Sequence, residues 1–229
     1  TITTAPAVPN PSKTPGTVDN PYLIKTAEEL AWFAVEVDKG NDTICANLEA
    51  DIDLFGGNYT DNTFDSTTKN YNDALPWWPI GGGLSSSISD MTSGYKGVFD
   101  GKNHVITSLK LAPGLDAVSG FFSRLSENGT VKNLGIESGY TDIAGKRVAG
   151  VVVGIMRSGT VLNCWNGATI LNVGGEAGGI VGYCSGDGTK KIEGCYNIGS
   201  INTWSGVFGA GGILGYSWGG GQATISNCY

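Results

Sequence analysis

Thr130-Val131-Lys132-Asn133-Leu134, Thr160-Val161-Leu162-Asn163-Cys164, Lys191-Ile192-Glu193-Gly194-Cys195 and Thr224-Ile225-Ser226-Asn227-Cys228 are four versions of one phrase. With Ile106 as an earlier marker, the β-branched residues Ile106, Val131, Val161, Ile192 and Ile225 stand 25, 30, 31 and 33 residues apart. Leu109, Leu134, Cys164, Cys195 and Cys228 follow three positions later. A second phrase advances in step: Gly120-Phe121-Phe122, Val151-Val152-Val153-Gly154, Gly179-Ile180-Val181-Gly182 and Gly212-Ile213-Leu214-Gly215. Two registers with a common period near thirty residues predict a solenoid, in which each unit buries its apolar residues by stacking on its neighbours.

The apolar runs are three to five residues long, rich in Val and Ile, and bounded by Gly, Asn, Ser and Thr. Runs of that kind are strands. Long 3.6-residue periodicity is absent between about 95 and 229, so helical repeats are excluded. The expected architecture is a right-handed parallel β-helix with two or three short strands per turn. Equivalent residues then lie about 4.8 Å apart and stack like on like. Asn133, Asn163 and Asn227 are expected to form an amide ladder interrupted by Gly194. Val161 and Cys164 are three apart and face the same core only if the chain bends between them.

The 229 residues, 40% of them hydrophobic, suffice for one continuous core. A net charge of -7, with Arg only at 124, 147 and 157, argues against nucleic acid or an anionic membrane as partner. No run of 18 apolar residues is present, so membrane insertion is not expected. Thr1 to Gly16 contains Pro6, Pro9, Pro11 and Pro15 but no signal-peptide pattern, and residues 1–15 read as an extended linker. Residues 16–94 read as an N-terminal cap and 95–229 as the repeats. Because Cys228-Tyr229 falls inside the repeated phrase, the solenoid is expected to continue further, leaving an edge open to self-association.

Thr26 to Lys39 reads as the one helix, with Thr26 and Glu29 as a capping box. Leu30, Phe33, Ala34 and Val37 form its apolar face, and Gly40 stops it. Its expected task is to cover the first turn, with Trp77 and Trp78 sealing the same end. Residues 50–54 read as an early strand. The polar stretch Phe55 to Leu75 reads as a solvated loop, since Asp61, Asp65 and Asp73 lack calcium-loop spacing.

Cys164, Cys195 and Cys228 share the Leu134 column and are expected to be small apolar core residues. Cys45 and Cys184 lack Cys-x-x-Cys spacing, and neither a metal nor a cofactor is expected. His104 follows a turn and has no partner of a triad. Glu137 and Asp142, with Lys146 or Arg147, are the nearest approach to a catalytic group, yet no two acids recur in one column, so no catalytic residue is assigned. Binding candidates are the outward aromatics: Trp165 and Tyr196, followed by Tyr229 in the same column, and Tyr183, Tyr216 and Trp218 after the second phrase. Aromatic faces pack on sugar rings.

Gly16-Thr17-Val18-Asp19-Asn20-Pro21-Tyr22-Leu23-Ile24, the Thr-Ala-Glu-Glu-Leu helix start, Ala50-Asp51-Ile52-Asp53-Leu54, Trp78-Pro79-Ile80-Gly81, residues Phe99 to Ile106, and the repeated Gly-Gly-Ile-Val-Gly-Tyr and Asn-Cys-Tyr together carry a family likeness. Over about 16–229 the chain resembles the GLUG-repeat domains of bacterial surface proteins, with Phe121-Phe122-Ser123 departing from Ile-Val-Gly. The resemblance implies a place in large exported adhesin-like proteins or beside the peptidase unit of immunoglobulin A proteases, and it implies no catalytic site. The expectation is a non-enzymatic structural or adhesive module at the bacterial cell surface, outside the cell, meeting a glycan or a host surface protein. The alternative is a carbohydrate-active β-helix enzyme or an accessory domain of a surface peptidase.

Overall fold

The structure, a computed structural model, describes residues 5–54, 77, 79–82, 93–109, 118–137, 140–142, 148–203 and 208–229, with the strand residues 140–142 and 171–173 given by their backbone. The Phe55 to Leu75 loop, Trp78, Lys146 and Arg147 lie outside them.

Five parallel sheets run along one coil. The longest stacks Tyr22–Ile24, Ala46–Leu48, Val98–Asp100, Thr130–Lys132, Gly159–Leu162, Lys190–Glu193 and Ala223–Ser226. A second stacks Ile52–Asp53, Val105–Thr107, Gly135–Ile136, Trp165–Asn166 and Tyr196–Asn197. A third, three-stranded, joins Tyr140–Asp142, Thr169–Val173 and Ile201–Thr203. Two more flank the second phrase: Val118–Ser119, Val148–Gly150, Glu176–Gly178 and Ala210–Gly211 before it, and Phe122–Leu125, Val153–Met156, Val181–Cys184 and Leu214–Ser217 across it. The turns beginning at Thr130, Gly159 and Lys190 carry all five strands, more than the two or three expected, because Gly and Asn corners cut each turn into short pieces. The molecule is a parallel β-helix.

The registers follow the phrases. Val131, Val161, Ile192 and Ile225 are aligned in the long sheet, and Phe122, Val153, Val181 and Leu214 in the last. One assignment changes: Phe99, not Ile106, is the partner of Val131, while Ile106 pairs with Ile136 in the second sheet. Leu109 accordingly leaves the Leu134 column, although it too is buried. The spacing of 25 from Ile106 to Val131 was short for a full turn; Phe99 restores a spacing of 32.

The bend between Val161 and Cys164 is a single left-handed residue. Asn133, Asn163 and Asn227 sit at φ of 52°, 51° and 55°, and Gly194 fills the same place at 63°. Asn is among the few side chains that tolerate this region. The amide ladder runs from Asn163 Nδ2, which donates to Asn133 Oδ1 at 3.3 Å, to Asn133 Nδ2, which donates to Asp100 at 2.9 Å. A second ladder, not expected, has Asn166 Nδ2 donating to Asn197 Oδ1 at 2.7 Å.

The glycines of the second phrase mark where two sheets nearly touch. A Cβ on Gly182 would lie 2.6 Å from the backbone of Ala149, and one on Gly215 equally close to that of Ala177. Between the two strands of each turn, Ile180 and Val181, and their equivalents Val152 and Val153, point into the core. This is a β-arch with a backbone-to-backbone waist.

The helix spans Ala27–Asp38, with the Thr26 and Glu29 capping box formed and Lys39 as C-cap before Gly40 at φ 104°. Leu30, Phe33, Ala34 and Val37 join the same core as the repeats. Phe33 lies 5.7 Å from Phe99 and 6.0 Å from Tyr95, and Trp77 stacks on Phe121 at 5.3 Å. Residues 7–15 are fastened to the cap through fully buried Asn20, which hydrogen-bonds the backbone of Asn10, Lys13 and Thr14. Ala7 also bridges Leu23.

Candidate functional site

The outward aromatics do form columns. Trp165 and Tyr196 stack with ring centroids 5.8 Å apart and planes 3° from parallel, Tyr196 and Tyr229 at 5.3 Å and 7°, and Tyr183 and Tyr216 at 5.8 Å and 14°. Parallel strands in register impose this, because a residue and its partner one turn on share a side-chain direction. Trp165 also lies over Gly135, where a Cβ would come within 2.7 Å of the indole. The faces a sugar would pack on are therefore taken by neighbouring rings. Trp165, Tyr183, Tyr196 and Tyr216 are partly buried and offer edges. Trp218 is different: it is 74% exposed.

Trp218 belongs to a corner that follows the last sheet. Backbone bonds from Arg157 N to Leu125 O, Ser185 N to Met156 O and Trp218 N to Cys184 O align Arg157, Ser185 and Trp218 in one column, with Ser126 one turn earlier. At this corner Ser126, Glu127, Arg157, Ser158, Gly186, Asp187 and Gly188 line an open cavity of about 240 Å3. Arg157 is 6% exposed, as is Ser126, whose Oγ has no hydrogen-bond partner. Ser158 Oγ donates to Glu127 O. Lys96 bonds Glu127 and Asp42, both at 3.1 Å, and those contacts raise its pKa. Lys190, almost fully buried, donates through Nζ to Gly186 O at 2.8 Å and to Gly188 O at 2.6 Å. The buried ammonium fixes the 186–188 turn before any ligand arrives.

The cavity thus sets one guanidinium, two carboxylates and two hydroxyls around a small space, with an exposed indole beside it. Of its neighbours only Trp218 was singled out from the sequence. A signal existed, since Ser126, Arg157, Ser185 and Trp218 each follow the aligned core residues Phe122, Val153, Val181 and Leu214 by four.

The remaining candidates separate. Glu137 is exposed, and Asp142 is described by its backbone. His104 Nδ1 lies 3.0 Å from Asp51, whose carboxylate also accepts from Val105 N; that backbone bond first, and the imidazole second, lower the Asp51 pKa. The pair ties one turn to the next, a structural task. All five cysteines are free thiols. Those in the column are more than apolar fillers: Cys164 N donates to Cys195 Sγ and Cys195 N to Cys228 Sγ, both at 3.4 Å. Burial pushes the Cys164 thiol well up, and burial takes Cys184 up to about 12 against the opposing pull of Lys190. Neither is a nucleophile. Among the described residues no three His, Cys, Asp or Glu converge as metal ligands, and no helix is long and apolar enough to cross a membrane.

No family model matches the chain, and no curated protein matches it. Among solved structures it is similar to that of a putative immunoglobulin A1 protease from Bacteroides ovatus, at 26% identity and a TM-score of 0.66. The likeness covers 93% of this chain and 57% of the other, so the chain corresponds to little more than half of that protein. This finding corrects the expectation of a chain unrelated to any enzyme. A solenoid repeat presents its stacking pattern in the sequence whatever polypeptide it serves, which is why the repeats alone pointed away from catalysis.

Proposed function

We propose that this chain is the β-helical region of an exported peptidase of the bacterial cell surface, a repeat module of the GLUG type that holds a host glycoprotein for cleavage. The observation that carries the proposal is the shared fold across 93% of the chain with a structure described as an immunoglobulin A1 protease. The geometry supports a holding role. A coil whose waist is set by backbone contact is stiff, and its corners carry polar and aromatic groups outside the core. The net charge of -7 leaves nucleic acid an unfavourable partner.

The test uses the natural full-length polypeptide. Incubation with immunoglobulin A1, followed by mass analysis of the products, is expected to give discrete fragments. Intact immunoglobulin A1, together with intact host glycoproteins of other kinds, would sink the proposal. Brief protease treatment of whole cells is expected to remove the protein; full protection inside intact cells would remove the surface location.

A further inference from the structure

The corner cavity holds the one described cluster in which a buried polar group lacks a partner, a charged pair faces an open space and a broad aromatic surface stands uncovered. We propose that it binds a single neutral sugar ring of a glycan, with Trp218 as the platform; this deepens the proposed holding role by naming the ligand class and its place.

The argument begins with Ser126. A buried hydroxyl without a hydrogen bond costs about 1–3 kcal/mol relative to a satisfied one, and this one faces the cavity. A ligand hydroxyl, able both to donate and to accept, satisfies it. Around the same space the donors of Arg157 and the acceptors of Glu127 and Asp187 alternate, a pattern suited to vicinal hydroxyls. A group bearing net charge would meet repulsion from one side or the other. The cavity, at about 240 Å3, is smaller than the roughly 300–1,000 Å3 of drug-sized pockets, which suits one ring and leaves the remainder of a glycan chain in solvent.

Trp218 supplies the apolar half of the recognition. Its backbone is placed over Cys184 by a 2.9 Å hydrogen bond, and Gly219, the next residue, packs on Gly186, where a Cβ would lie 3.0 Å from the Gly186 nitrogen. The indole therefore stands at the rim of the cavity. The stacked columns cannot serve in its place, because their faces are covered. Lys190, fastened to Gly186 and Gly188, holds the turn that carries Asp187. The site is preformed, which lowers the ordering cost of binding.

The experiment is an array of mono- and oligosaccharides probed with this chain, followed by calorimetric titration of the best methyl glycoside. Three variants are compared with the wild type: Trp218→Ala, Asp187→Asn and Ser126→Ala. Trp218→Ala is expected to weaken binding about tenfold or more with an unchanged melting temperature, since the ring is mostly exposed. Ser126→Ala is expected to weaken binding while leaving stability equal or higher, because the hydroxyl it removes has no partner in the free protein. A purely structural serine would show the opposite. Binding that survives all three substitutions overturns the placement, and a wild type that binds an unglycosylated peptide but no saccharide overturns the ligand class. Absence of any saccharide binding at millimolar concentration overturns the inference altogether. All three outcomes leave the peptidase reading standing, since that is judged separately by cleavage of immunoglobulin A1.

Discussion

The cap and the later turns solve one problem by different means. Around the helix the core is filled by large rings of unlike shape: Phe33, Trp77, Tyr95, Phe99, Phe121 and Phe122, in edge, tilted and stacked contacts. From Thr130 on it is filled by columns of Val, Ile, Leu and Cys, each repeating its neighbour. A helix crossing a strand stack has no periodicity in common with it, so adaptable bulk must fill the gap. Stacked strands share one period, and identical small residues then pack without gaps. The close waist of the arch has no counterpart among the described contacts of the helix.

The sharpest test of this contrast is at the waist. Gly182→Val places side-chain atoms where the backbone of Ala149 already lies, and neither side can give way. The expected result is loss of the cooperative unfolding transition in circular dichroism, a penalty above the roughly 1–3 kcal/mol of ordinary overpacking. Retention of wild-type stability would show that the two sheets can part.

Next in size is the cap. Phe99→Ala removes a ring in contact with Phe33, Phe121 and Phe122 and is expected to cost about 3–5 kcal/mol in urea denaturation. Ile192→Val, in a column that tolerates both residues, is expected to cost about 0.5–1.5 kcal/mol. Equal penalties would erase the distinction between the two kinds of packing.

At the bend, Asn163→Ala is expected to cost about 1–2 kcal/mol from its left-handed backbone, plus the bond to Asn133. Asn163→Gly should be milder, because Gly194 already occupies the equivalent place in the next turn. A variant with Ala as stable as Gly would show that the bend relaxes.

The smallest effect concerns pH. Burial pushes the Asp100 carboxyl up, but hydrogen bonds from Asn133 and Lys102 and the charge of Lys132 outweigh it, and the net direction is down. A depressed carboxylate contributes stability that is complete above its unfolded value of about 3.9 and is lost as pH falls through the lower folded value. Asp100→Asn is therefore expected to be less stable than wild type at neutral pH, with the gap closing below about pH 4. A gap that persists at low pH would assign the effect to shape and not to charge.

Much of this fold can be read from residues that repeat. The alignment of Val131, Val161 and Ile192 and the need for a bend before Cys164 both come from spacing, and the capping box of Thr26 and Glu29 is local. Phe99 was hidden because the cap departs from the period and a neighbouring Ile imitates the marker. The columns of Trp165 and Tyr183 were legible as columns, but a sequence does not give the tilt of a ring plane, and that tilt decides whether a face or an edge meets solvent. Arg157, Asp187 and Ser126 come together only at a corner assembled from three successive turns, where no single stretch of chain shows the pattern.

The backbone waist at Gly182 and Gly215 has one more consequence. Clearance there is fixed by main-chain atoms, so an arch cannot be lengthened or shortened by a residue without unseating the arches above and below. Such a molecule changes length in whole rungs of about 4.8 Å, and a shorter insertion finds room only at the polar corners.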